Sequence, residues 1–162
     1  MMGIGRYGQV CGAVLSLGVL GSGVFQASAQ SLPILEDCIA GNGVATPTLT
    51  AEACSQQLYN ACIDLKGSET TPDIGACMQE GGALWDQLLN QLWPQMKARA
   101  EAMEILDSQL KTQRAWIAYR DARCQQEYDE YAGGTMRSIA PVACVRDMTA
   151  ERAMEFYRTL SQ

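Results

Sequence analysis

From Thr50 onward, apolar residues recur every three or four positions, the spacing that puts them on one face of an α-helix. Thr50, with Glu52 in the first turn, caps a first predicted helix that carries Cys54, Leu58, Cys62 and Leu65 on one face and stops at Lys66-Gly67-Ser68. Thr71-Pro72 opens a second, since proline at the first helical position lacks only an N–H that has no intrahelical partner. Its stripe is Ile74, Met78, Trp85, Leu88, Leu89, Leu92 and Met96. Pro94 removes a donor and clashes with the carbonyl of Asn90, which predicts a kink or break there. The pattern resumes at Ala98, runs through Met103, Leu106, Leu110, Ile117, Cys124, Tyr128 and Tyr131, and ends at Gly133-Gly134. Pro141 then opens a turn of helix containing Cys144, and Thr149 with Glu151 begins a last helix reaching Leu160. No segment alternates with a strand's period of two, so the expected fold is all-α, a small disulfide-bonded domain of about four helices. Between Gln30 and Thr50 the chain has Pro33, Gly41, Gly43 and Pro47 and no apolar period, which predicts an irregular arm tied down by Cys38.

The N-terminus has a different pattern. Arg6 precedes an apolar stretch from Val10 to Phe25, interrupted by Gly12, Gly18, Gly21 and Gly23 and followed by Ala27-Ser28-Ala29. A charged start, an apolar middle and an Ala-x-Ala site in this order predict a signal peptide over residues 1–29. The stretch is shorter than the roughly 20 apolar residues of a membrane span, so no stable span is expected after processing. Cleavage after Ala29 removes 29 of 162 residues and leaves 133, a single domain over 30–162, in a periplasmic or secreted location.

Export changes how the cysteines read. Cys11 goes with the peptide, and Cys38, Cys54, Cys62, Cys77, Cys124 and Cys144 remain, an even number that reads as a disulfide framework in an oxidising compartment. Cys124 faces Cys144 across the loop at the glycine pair, and Cys62 and Cys77 flank the earlier helix reversal, which leaves Cys38 with Cys54. Six cysteines allow about 15 connectivities, and the others stay open. With no Cys-x-x-Cys pair and no histidine anywhere, neither a metal site nor a cofactor is expected.

Charge narrows the partners. Removing Arg6 from 12 basic residues leaves 11 against 18 acidic ones, a net charge of −7. Phosphate backbones need Lys and Arg, so nucleic acid is not an expected partner, whereas a basic protein would be steered toward the chain. Without histidine there is no Ser-His or Cys-His nucleophile. Glu80 with Asp86, or Glu127 with Asp129 and Glu130, offer paired carboxylates, but no phosphate cradle or nucleophile elbow accompanies them, so no enzyme is expected.

The most patterned segment is Gln113-x-x-Trp116-x-x-Tyr119-Arg120-Asp121-x-x-Cys124, followed by Gly133-Gly134-Thr135-Met136, Ala143-Cys144 and Thr149-x-Glu151-Arg152. Upstream, Cys77 precedes Asp86-x-x-Leu89-Asn90-x-x-Trp93. Together these resemble the domain of the lysozyme inhibitor LprI family over about Cys77 to Leu160, with Trp93 where the family usually has tyrosine; the region of Cys38, Cys54 and Cys62 lies outside the resemblance. The resemblance implies an extracytoplasmic helical domain and, by analogy with one member, inhibition of a basic lysozyme. The alternative is a cell-envelope interaction module that does not touch lysozyme. Family membership transfers function weakly.

Helical aromatics are usually core and adjacent charges usually brace it, so Asp86, Asn90, Trp116, Tyr119, Arg120, Asp121, Gly134 and Arg152 read first as structural. Trp116 and Tyr119 are expected to anchor their helix in the core, and Arg120 or Asp121 to clamp Glu151 or Arg152. For partner binding the candidates are Glu127, Asp129, Glu130 and Tyr131, carboxylates and tyrosine at a helix end beside glycines.

Overall fold

The computed structural model describes residues 24–41 and 50–162, with side chains placed from Leu32 onward. The signal-peptide reading falls largely on residues 1–23, outside the described residues, as does 42–49 of the expected arm. Among the described residues there are five α-helices, one 3-10 turn and no strands: α1 (Val24–Ile39), α2 (Ala51–Lys66), α3 (Thr71–Ala102), α4 (Leu106–Glu130), the 3-10 turn Thr135–Ser138, and α5 (Ala140–Leu160). No described helix is long and apolar enough to cross a membrane.

Local chemistry sets several boundaries. Thr50 accepts a hydrogen bond from Ala53 N at 3.1 Å to start α2, and Gly67, at φ 66°, closes it in the left-handed conformation that glycine adopts without strain. The cap of α3 is Thr70, one residue before the expected Thr71, with Pro72 in the first turn. Hydroxyls of Ser68 and Thr70 donate to Asp73 and hold its carboxyl below the usual carboxylate range.

Four expectations are corrected. The arm is helical as far as Ile39: α1 places Leu32, Leu35 and Cys38 at successive turns of one buried face, with Pro33 inside the helix. Pro94 does not break α3. Both Pro94 and Asn90 are exposed, so the carbonyl that loses its donor faces water, while Leu89 and Met96 on either side of the proline are buried. The chain reverses instead at Met103–Ile105. There Glu104 takes φ 60°, Ile105 N donates to Ala100 O at 2.9 Å, and Glu104 N donates to Glu101 O at 3.0 Å, the Schellman pattern with glutamate where glycine is usual. Finally, Thr149 starts no helix: it is buried in the middle of a continuous α5 and accepts from Arg120.

The core lies between α1, α2, α3 and α5. Trp85 of α3 is completely buried against Phe156, Ala150 and Ala153 of α5 and Leu58 of α2 in one cluster, and its indole N–H donates to the buried Ser55 Oγ at 2.9 Å. Leu65, expected on the buried face of α2, is 90% exposed, and Ile63 is buried in its place near the helix end. Three disulfides lace the helices together: Cys38–Cys54 ties α1 to α2, Cys62–Cys77 ties α2 to α3, and Cys124–Cys144 ties α4 to α5. The last one matters most for α4, in which only Cys124 is buried.

Candidate functional site

The reversal at Met103–Ile105 sends α4 back beside α3, so that Gln113, Trp116, Ile117 and Arg120 face Asp86, Leu89, Asn90 and Trp93 across a groove of about 180 Å³. Residues from both halves of the sequence motif therefore meet at one place. Behind the groove, α5 supplies the centre of the arrangement. Arg152 is 7% exposed, and its Nε and Nη2 both donate to Gln113 Oε1 at 3.0 Å, while Nη1 donates to Glu155 Oε2 at 2.6 Å.

Three cations and three rings line this seam. Lys97 lies 6.0 Å from the Trp93 ring centre, Trp93 stacks on Phe156 at 5.8 Å, Arg152 lies 4.7 Å from Phe156 and 5.7 Å from Trp116, and Arg120 lies 5.2 Å from Trp116. A guanidinium is planar and weakly hydrated, which lets it pack between aromatic faces where an ammonium would be costly to desolvate. Arg152 thus joins α5 to α4 through the Gln113 amide oxygen and the Trp116 ring, and packs on Phe156 of its own helix. Changing Arg152 to alanine is expected to cost about 2–4 kcal/mol, and methionine, which restores the aliphatic stem, to recover part of that. Urea unfolding of the two variants checks this; equal midpoints for alanine and wild type would remove Arg152 from the clamp.

The clamp differs from the one expected. Arg120 donates to the neighbouring Asp121 Oδ1 through Nε at 3.0 Å and Nη2 at 2.8 Å, and to Thr149 Oγ1 at 3.4 Å, rather than pairing with Glu151 or Arg152. Trp116 is half-buried against the core, but Tyr119 is 62% exposed, so it is no anchor. One turn of helix separates them, yet α4 rests on its neighbours along a single narrow face, and Tyr119 lies off it. On α3, Asn90 Nδ2 donates to Asp86 Oδ2 at 2.9 Å, and both side chains are exposed on the groove rim. Of the two turn glycines, Gly133 has φ 86°, whereas Gly134 has φ −106° and caps the 3-10 turn.

The acidic end of α4 lies apart from the groove. Glu127 is engaged by Arg123 Nη2 at 2.6 Å, while Asp129 and Glu130 are exposed and accept only from Gln125 and Gln126, one turn back on the same helix. Tyr131 is 42% exposed, and Tyr128 lies under the guanidinium of Arg137 at 4.0 Å. Residue-type reasoning left out Ser55, Gln113 and Phe156 as important positions. Of these only Gln113 carried a signal, as the first residue of the aromatic motif.

The comparisons with known proteins bear on the whole arrangement. The chain is 29% identical over 131 residues to an uncharacterised protein of Rhizobium meliloti (strain 1021), a match covering 80% of this chain and 92% of that protein. No solved structure matches. The profile described as lysozyme inhibitor LprI matches residues 62–156. That span starts earlier than the resemblance read from motifs and takes in Cys62, which is the bridge partner of Cys77. It covers the groove, the Arg152 seam and the acidic end of α4, and on it the chain belongs to the lysozyme inhibitor LprI family.

Proposed function

We propose that this chain is exported with removal of residues 1–29 and acts in the periplasm or outside the cell as a lysozyme-inhibitor-type binding protein, not as an enzyme. The observation that carries the reading is the C-terminal end of α4. Its last turn holds Asp129 and Glu130 and no basic residue. The unpaired carbonyls of a helix C-terminus already concentrate negative charge there, so carboxylates at that end work against helix stability. Carboxylates placed against local helix stability support a role outside the fold, and exposed carboxylates beside Tyr131 suit a basic surface with a place for a ring. Host-defence lysozymes are generally basic, and the net negative charge of this chain steers association with them. The three bridges are consistent with an oxidising, extracytoplasmic setting.

The test is lysis of a peptidoglycan suspension by a basic lysozyme, titrated with the oxidised mature protein at low and raised salt. Saturable inhibition that weakens with salt is expected. Asp129→Ala combined with Glu130→Ala should raise the inhibition constant about five- to tenfold at low salt and flatten its salt dependence. Unchanged inhibition by a folded double variant would rule that helix end out, and no inhibition of several lysozyme types would leave the envelope-module reading in its place.

A further inference from the structure

The groove between α3 and α4 has its amide groups turned in a defined sense. A guanidinium only donates, so Arg152 obliges Gln113 to present Oε1 toward it, which leaves the two N–H donors of Gln113 Nε2 for the groove. A carboxylate only accepts, so Asp86 obliges Asn90 to present Nδ2 toward it, which leaves Asn90 Oδ1 and the second Asp86 oxygen as acceptors on the opposite wall. The apolar side chains of Leu89, Trp93 and Ile117 line the same groove. At about 180 Å³ the groove is below the roughly 300–1,000 Å³ of pockets for drug-sized ligands, and it has room for one small ring or its substituent.

From this we infer that the α3–α4 groove is a binding site for an acetamido sugar. An acetamido group has a carbonyl for Gln113 Nε2, an N–H for Asn90 Oδ1 and a methyl for the apolar floor, and the free Asp86 oxygen accepts from a ring hydroxyl. The ligand is neutral, which suits a groove whose one cation, Arg120, is already engaged by Asp121 and Thr149. Two guanidiniums lie over the Trp116 ring, so the selectivity of the site resides in the amide pair more than in stacking. Such units occur in bacterial cell-wall glycan, where an exported protein would meet them. This inference goes beyond lysozyme inhibition and does not depend on it.

The experiment follows the side-chain amide resonances of Asn90 and Gln113 in the oxidised mature protein, with N-acetylglucosamine and its trisaccharide as probes. Glucose, glucosamine and N-acetylalanine amide are the comparators. Saturable shifts of both amides at millimolar affinity are expected, for the acetylated sugars only. Asn90→Ala lies on an exposed rim and keeps the fold; it should weaken binding about tenfold while leaving lysozyme inhibition unchanged. Asp129→Ala with Glu130→Ala should do the reverse, which separates the two sites. Absence of saturable shifts would overturn the assignment. Equal response to glucose would remove the acetamido selectivity, and equal response to N-acetylalanine amide would remove the sugar class.

Discussion

Reduction of the three disulfides is expected to unfold the domain at room temperature or to lower its melting temperature by about 30 °C. The bridged cysteines are 15 to 20 residues apart, and closing loops of that size lowers the entropy of the unfolded chain by about 3 kcal/mol each in the chain-entropy account. Three such contributions total about 9 kcal/mol, within the roughly 5–15 kcal/mol that separates folded from unfolded states of ordinary domains. The helices individually supply little in compensation. α4 buries only Cys124 among its 25 residues, and α1 reaches the core through one face. Thermal melts by circular dichroism with and without a reductant check this. A reduced chain that melts within a few degrees of the oxidised one would show that packing alone holds the helices. The replacement of both Cys124 and Cys144 by serine should loosen α4 first, because that bridge is its firmest attachment to α5.

Trp85→Ala is the single substitution expected to be most damaging, at about 3–5 kcal/mol. The ring is fully buried where α2, α3 and α5 meet, and alanine would leave a cavity among three helices, two of which, α2 and α3, are held by a disulfide that limits their collapse into it. The loss has two parts that can be separated. Trp85→Phe keeps most of the ring but leaves the buried hydroxyl of Ser55 without its 2.9 Å donor, a cost of about 1–2 kcal/mol. Adding Ser55→Ala to Trp85→Phe removes the orphaned hydroxyl and should restore part of that loss, read as a non-additive term in a double-mutant cycle by urea unfolding. Additive effects would mean that the hydrogen bond contributes nothing, and a Trp85→Ala cost below about 1 kcal/mol would mean that the core is not centred on this ring.

The candidate site was legible in part. The aromatic motif on α4 and the Asp86 to Trp93 segment on α3 were visible as sequence patterns, and the structure brings them to facing walls of one groove. What could not be read was which partner each side chain takes. Arg120 or Asp121 of α4 was expected to pair with Glu151 or Arg152 of α5, yet Arg120 donates to its own neighbour Asp121 and to Thr149, while Arg152 is buried between two rings and donates to Gln113. Tyr119 and Leu65 were placed in the core on periodicity alone and are exposed. Spacing specifies a helix face, but the neighbouring helix must be long enough and close enough to cover it.

By itself the sequence determined the helical class, the caps at Thr50 and Gly67, the glycine-directed turn after α4 and the membership implied by combined motifs. These depend on local chemistry: periodicity, hydroxyl caps and residues that adopt positive φ. Only the tertiary structure decided that α3 continues through Pro94, that the chain turns at Glu104, and that α5 is one helix through Thr149. In each case the local signal was outweighed from a distance. Buried Leu89 and Met96 hold the helix across the proline, the buried Ala100 supplies the carbonyl that closes the left-handed cap at Glu104, and burial beneath Arg120 turns a residue suited to capping into part of the interior.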